Sequence, residues 1–276
     1  MRCRISILML VGMTAAGLAD GQALRYTGPG THSIERHWPD DGAANPTPNA
    51  GAWDGDDAVG LQLRDHGVQQ NNTVPVSVLK LPSEAVKEMN KSDKALKAGD
   101  VRGSAEHLER MLELTPDFAI GHNGLGARYV VLGEYDRAVQ EFQKAVQLQP
   151  KYRLAMDNIA VAFCMQHRFT EAEPMARWAL QIQPDAPSSK YLLGSILVSE
   201  DKPTEEALEL LRNVQDQYPR ARLFLAKAFV MHGEPGKAVE ELRAYVSSPK
   251  ATDNGVAERW LERLEKELST PPTMVE

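Results

Sequence analysis

Four prolines, Pro116, Pro150, Pro184 and Pro219, each close an apolar stretch: Leu114-Thr115, Leu148-Gln149, Ile182-Gln183 and Gln217-Tyr218 precede them. Their spacings are 34, 34 and 35 residues. A fixed period of this length over helical patterning marks a chain assembled from one supersecondary unit used several times, in which no unit can hide its apolar face alone. Stacking of neighbours then makes one continuous core. Such a chain is constrained to a solenoid, and its surface chemistry is read unit by unit.

Within each period the same residue types return. The second unit carries Leu125, Gly126, Tyr129, Gly133, Ala138, Phe142, Ala145 and Pro150. The third carries Ile159, Ala160, Phe163, Ala172, Ala179 and Pro184, with His167 at the turn and Ala176 at a bulky site. The fourth has Leu193, Gly194, Leu197, Ala207, Leu211, Val214 and Pro219, with one extra residue in Glu200-Asp201-Lys202-Pro203. The fifth has Leu225, Ala226, Phe229, Gly233, Ala238, Leu242 and Tyr245, its proline one place early at Pro249. The first keeps Gly99, Leu108 and Pro116 but has Lys91-Ser92 where Leu-Gly is expected. On these positions the chain resembles the tetratricopeptide repeat family. The resemblance spans 83–268 and implies an all-α fold, a right-handed α-solenoid of about five helix–turn–helix repeats with a C-terminal capping helix. The units run about 83–116, 117–150, 151–184, 185–219 and 220–249, and the capping helix covers 252–268, carrying Val256, Trp260, Leu261, Leu264 and Leu268 on one stripe. Residues 269–276 form a disordered tail.

The residue types have mechanical reasons. Gly126, Ala160, Gly194 and Ala226 are small where two helices cross, and Ala138, Ala172, Ala207 and Ala238 are small opposite them, so the backbones approach closely. Tyr129, Phe142, Phe163 and Phe229 are expected to fill the space toward the next unit. Gly99, Gly133 and Gly233 suit the positive φ that closes a helix, and the terminal prolines stop the second helices. Ser83 after Pro82 reads as a capping serine, and Thr170-Glu171-Ala172-Glu173 as a capping box that puts Pro174 in a tolerant first turn.

Ahead of the repeats lie segments of another kind. Arg2 and Arg4 precede an apolar run from Ile5 to Ala19, ending Gly17-Leu18-Ala19, which reads as a signal peptide over 1–19, cleaved after Ala19. An uncleaved anchor is the rival reading, but crossing a bilayer takes about 20 apolar residues and this run is shorter and holds Gly12, Thr14 and Gly17. Residues 20–72, rich in Gly, Pro, Asn and Asp, make a disordered linker that cannot offset its ordering entropy by apolar burial. Asp54, Asp56 and Asp57 fail as a calcium loop, because Ala58 and Asp65 stand at the later ligand positions. Residues 73–82 alternate β-branched and polar types as an extended segment, with Pro75 barring it from a sheet interior. The expected location is secreted or periplasmic.

The family resemblance implies that the first helices line a concave face on which partner peptides or helices lie. Carried over by register, that lining is Ile120, Asn123, Ala127, Val130 and Val131, then Leu154, Asp157, Asn158, Val161, Cys164 and Met165, then Tyr191, Ser195, Val198 and Ser199, and finally Arg220, Leu223, Lys227, Val230 and Met231. It is mostly apolar, with cations only late, at Arg220 and Lys227, which disfavours a clamp for a terminal carboxylate. A hydrophobic strand or an amphipathic helix suits it better, with Asn123 and Asn158 available to bond a peptide backbone. The alternatives are that part of this face is buried between units, or that the chain's own residues 73–81 cover it.

Composition excludes other work. A net charge of −7 argues against a nucleic-acid surface, which needs a positive face to displace counterions. Two cysteines, Cys3 and Cys164, are too few for a disulfide scaffold or cysteine-based zinc. No His-Glu-x-x-His occurs, and His107, His122, His167 and His232 fall in different repeats. Gly121-His122-Asn123-Gly124-Leu125-Gly126 follows no strand and lacks dinucleotide spacing, Cys164 has no paired histidine, and Glu106, Glu109 and Glu113 read as a solvated face. No catalytic residue, metal or cofactor is expected. The expected function is a non-catalytic scaffold or adaptor for a protein partner, with membrane contact only through an uncleaved leader or an envelope complex. The alternative is a structural accessory subunit of such a complex, working through its convex face, and a third reading is an enzyme whose site the sequence does not reveal.

Overall fold

The computed structural model describes residues 80–251 and 254–269. The segments expected to be a signal peptide and a linker, residues 73–79 of the expected extended segment and the residues from 270 on lie outside the described residues. Within them every regular element is helical. Five hairpins follow one another: α1 (Ser83–Lys97) with α2 (Val101–Leu114), α3 (Ala119–Val131) with α4 (Tyr135–Leu148), α5 (Arg153–Met165) with α6 (Phe169–Ile182), α7 (Pro187–Ser199) with α8 (Glu205–Arg212), and α9 (Ala221–Met231) with α10 (Pro235–Val246). A closing helix, α11 (Asn254–Ser269), packs on α10. Each helix packs on the next, and the first helices also touch one another, α3 on α5, α5 on α7 and α7 on α9. This is an α-solenoid.

The crossing points explain the small residues. A Cβ placed on Gly126 would sit 2.6 Å from the Phe142 ring, and one on Gly194 would sit 2.8 Å from Leu211 and 3.3 Å from the Ala207 carbonyl. Phe142 therefore packs over the glycine of its own unit. Tyr129 also departs from the expectation: its hydroxyl donates to Glu109 of the preceding unit, and Arg137 lies 4.0 Å over its ring. In the first unit, Ser92 and Ser104 occupy the crossing, both without exposure, and their hydroxyls are hydrogen-bonded at 2.8 Å. Serine is nearly as small as alanine, and the pair satisfies itself, so the unit that departs most in sequence keeps the same geometry.

The turn position shows the same economy. Gly99, Gly133 and Gly233 adopt φ of 80°, 74° and 76°, and the third and fourth units reach this left-handed region with His167 at 57° and Asp201 at 56°. A residue with a Cβ is strained there. Capping differs from expectation at two sites. Ser83 is the first helical residue after Pro82 and makes no capping bond; the side chains that do are Asp100, accepting from the Gly103 N–H, and Thr204, accepting from the Ala207 N–H. Helix α6 begins at Phe169, which puts Thr170 inside the helix instead of at its cap and Pro174 well past the first turn. Pro174 supplies no N–H to the Thr170 carbonyl. Both residues are exposed, so solvent can take that carbonyl and the helix continues to Ile182. On α11, Ala257, Trp260 and Leu264 are buried, whereas Leu268 is 51% exposed beyond the last turn that meets α10.

Candidate peptide-binding face

Helical rotation of about 100° per residue puts Asn123, Ala127 and Val130 on one side of α3, roughly 40 to 100° from the Gly126 line that meets α4. The same register gives Asp157, Val161 and Cys164 on α5, Tyr191, Ser195 and Val198 on α7, and Lys227 on α9. These side chains share the inner face, but most are closed to solvent: Asn123, Ala127, Val130, Leu154, Asp157, Asn158, Val161, Cys164, Tyr191, Ser195, Val198 and Lys227 are all buried. Accessible apolar surface is left at Val131, which is 46% exposed, and in part at Ile120, Met165, Leu223, Val230 and Met231. Val131, Met165 and Met231 hold the same place at the end of α3, α5 and α9, and Ser199 holds it on α7. The open part of the lining therefore lies mostly at the C-terminal ends of the first helices, at Val131, Met165, Val230 and Met231, with Ile120 and Leu223 partly open near the starts of α3 and α9.

The buried part is polar where units meet. The Asn158 amide donates to the Asn123 side-chain carbonyl at 2.9 Å, joining α5 to α3. Asp157 is ion-paired with Arg153 one turn earlier and accepts from the Ser189 hydroxyl of α7 at 2.8 and 2.9 Å. Arg153 also reaches Ser188 and Ser189 at 3.2 Å. Burial pushes the Asp157 carboxyl up to about 6, against the opposing pull of Arg153 and Ser189. Lys227 lies 3.5 Å from the Asp201 carboxylate at the end of α7, and burial lowers its pKa despite that partner. Burial pushes the Cys164 thiol well above its usual range, which leaves it a poor nucleophile.

Sequence reasoning did not single out Arg153, Ser188, Ser189 or Arg128. Arg128 is 1% exposed; it donates to Ser104 at 3.2 Å and to the Gly124 carbonyl at 3.4 Å, and burial lowers its pKa to about 10 while Asp93 opposes the shift. A Ser at each of the two small positions of the first unit was the available signal for a polar junction there. Glu109, expected on a solvated face, takes part in the Tyr129–Arg137 contact between units.

A second recurring pair joins the hairpins. Residues 19 apart meet in three units: Glu88 with His107 at 2.7 Å, His122 with Glu141 at 2.6 Å and Arg222 with Glu241 at 2.9 Å. Lys91, then His107 and Arg110, hold the Glu88 carboxyl down to about 2 against the desolvation that opposes them. Among the described residues no group of three or more His, Cys, Asp and Glu could hold a metal ion, and no helix is long and apolar enough to cross a membrane.

Known proteins place this arrangement. The family model of the tetratricopeptide repeat matches residues 90–153, 160–219 and 203–254. Human tetratricopeptide repeat protein 28 is 26% identical over 127 residues, which is 46% of this chain and only 5% of that protein. The solved MamA structure from Desulfovibrio magneticus RS-1 superposes with a TM-score of 0.56 at 18% identity, over 69% of this chain and 99% of that one. YrrB, described as a tetratricopeptide repeat protein with an unusual peptide-binding site, superposes with a TM-score of 0.54 at 19% identity, over 64% and 92%. With its units matched over more than half of its length, the chain belongs to the tetratricopeptide repeat family.

Proposed function

We propose that the protein is a non-catalytic adaptor or assembly factor, acting outside the cytoplasm, whose inner face holds an extended or helical segment of a partner protein. Tetratricopeptide repeat proteins work through protein–protein contacts. The observation that carries the finer reading is the row Val131, Met165 and Met231, accessible apolar side chains at one register position on three first helices. Methionine adapts its shape to different apolar partners, so this row grips side chains of a segment running along the stack. The peptide-binding site of YrrB, on a related fold, is consistent with that use. Arg2 and Arg4 ahead of the apolar Ile5–Ala19 run support export.

A second reading places the partner on the convex side, where Trp178 of α6 is 41% exposed and Leu114 and Leu148 end α2 and α4 at 48% and 39%. The two readings separate with Met165→Arg and Trp178→Arg, followed by capture of partners from the native envelope fraction. Burying one methionine or leucine side chain contributes about 1.5–3 kcal/mol, so the inner-face reading expects Met165→Arg to weaken capture about tenfold or more and Trp178→Arg to leave it unchanged. The reverse pattern would transfer the function to the convex face.

A further inference from the structure

We propose that the second unit carries a proton-operated clamp: His122, held as the doubly protonated imidazolium, ties α3 both to α4 and to the loop arriving from the first unit, and loss of its proton loosens that junction while the other hairpins stay closed. The device belongs to the fold and holds whichever face receives the partner.

The clamp occupies one slot of the repeat, formed by the residue four before the small position of the first helix and the residue three after the small position of the second. In the first, second and fifth units the slot holds Glu88 with His107, His122 with Glu141 and Arg222 with Glu241. The third unit places Met156 and Met175 there, and the fourth Lys190 and Leu210. Three units thus set a carboxylate opposite a nitrogen base, but the charge differs in kind. Arg222 is a permanent cation. In the first unit Lys91 lies 2.5 Å from Glu88 and Arg110 3.3 Å from it, so that carboxylate stays paired without a charge on His107. In the second unit the cation is one that can be removed.

Its geometry needs two ring protons. His122 Nδ1 lies 2.6 Å from Glu141 Oε2, and Nε2 lies 2.8 Å from the Pro116 carbonyl oxygen. Both partners are acceptors, so only the imidazolium donates to both, and a neutral ring of either tautomer turns a lone pair toward one of them. Little water reaches that contact: His122 is 6% exposed and the Glu141 side chain 13%. Desolvation would raise the Glu141 carboxyl, yet His122 and Lys144, the latter 2.8 Å from its other oxygen, bring it below the usual carboxylate range, which leaves the shared proton on the ring. Other ionisable groups on the elements packed around α3 are engaged elsewhere or face solvent. Glu109 of α2 and Tyr129 meet Arg137 of α4, Arg128 donates to Ser104, Asp157 of α5 is paired with Arg153, and Glu113 and Asp117 are exposed.

The test is ring nitrogen NMR of the full chain from pH 5 to 8.5, with amide hydrogen exchange followed in parallel and corrected for the intrinsic rate. The His122 signals, assigned by their loss in His122→Arg, should show two protonated nitrogens at pH 5. As the ring loses a proton, protection at the start of α3, where the His122 N–H donates to the Phe118 carbonyl, should fall about tenfold or more, the change expected when a buried charge-assisted hydrogen bond is lost. Protection on α9, beside the Arg222–Glu241 pair, should not change. Glu141→Gln offers an amide that donates to neutral Nδ1 while Nε2–H keeps Pro116, so its α3 protection should be independent of pH. His122→Arg copies the pair of the fifth unit and should behave alike. A neutral ring at pH 5, a ring titration that leaves α3 protection unchanged, or a pH response that persists in either variant would overturn the proposal.

Discussion

Asp157 sets two effects against each other, and pH can tell which wins. The carboxylate has a cation, Arg153, and a hydroxyl donor, Ser189, both of which favour its charged form, yet it is 1% exposed and desolvation lifts its carboxyl to about 6 from an ordinary 3.8. A folded-state pKa above the unfolded one means that the folded chain holds the proton more tightly between those values. Stability is then greatest below about pH 4 as far as this group is concerned, and it falls as pH rises through 6. A shift of about two pH units is worth on the order of 3 kcal/mol. Asp157→Asn keeps an acceptor for Ser189 and removes the titration, while Arg153 retains access to solvent. Urea unfolding of both proteins at pH 4.5, 6 and 8 gives the difference, in which all other titrating groups cancel. The variant should gain about 2 kcal/mol relative to the parent between pH 4.5 and 8, whatever constant loss it carries. A difference that does not change with pH, or one that turns against the variant as pH rises, would show that the Arg153 pair outweighs desolvation and that the reasoning is wrong.

Gly126→Ala should destabilise by about 1–2 kcal/mol by urea unfolding, because a Cβ 2.6 Å from Phe142 overpacks the crossing by more than the helix-propensity gain returns, and Phe142→Leu should recover much of the loss in the double variant. Additive losses would show that the crossing is not the cause. Glu88→Gln removes a carboxyl whose pKa is held down by Lys91, His107 and Arg110, so the stability it contributes is present above pH 4.5 and is lost as pH falls toward 2. Acid unfolding should therefore begin at higher pH in the variant, and an unchanged acid midpoint contradicts the role given to this cluster. His167→Gly should raise stability by about 0.5–1 kcal/mol, since φ of 57° strains a residue with a Cβ and the other units place glycine there, and a lower melting temperature would refute that.

Proline spacing and the small residues at 126, 160, 194 and 226 made the hairpins and their order legible, because a crossing that excludes a Cβ leaves a direct mark on residue type. The first unit was harder. Ser92 and Ser104 meet the same steric demand in a different chemistry, visible only when the two hydroxyls are seen to bond. Helix starts were misread at Ser83 and Thr170, where a side chain able to cap lies one or two residues inside the helix and the boundary is set by packing of the preceding loop. On the inner face, register placed the right side chains on one side, but register carries no information on depth. Asp157, Cys164 and Lys227 share a face with Met165, yet they are closed off while Met165 is partly open, because closeness of the first helices depends on pairs such as Asn123–Asn158 that join residues 35 apart. Arg153 and Arg128 escaped notice for a related reason: each also reaches into another unit, to Ser188 and Ser189 and to Ser104.

Amide hydrogen exchange of the protein, alone and with its captured partner, tests the central claim most directly. The account predicts slower exchange on α3, α5, α7 and α9, greatest toward the ends that carry Val131, Met165 and Met231, with α4, α6 and α8 unchanged. Protection confined to those second helices would contradict it.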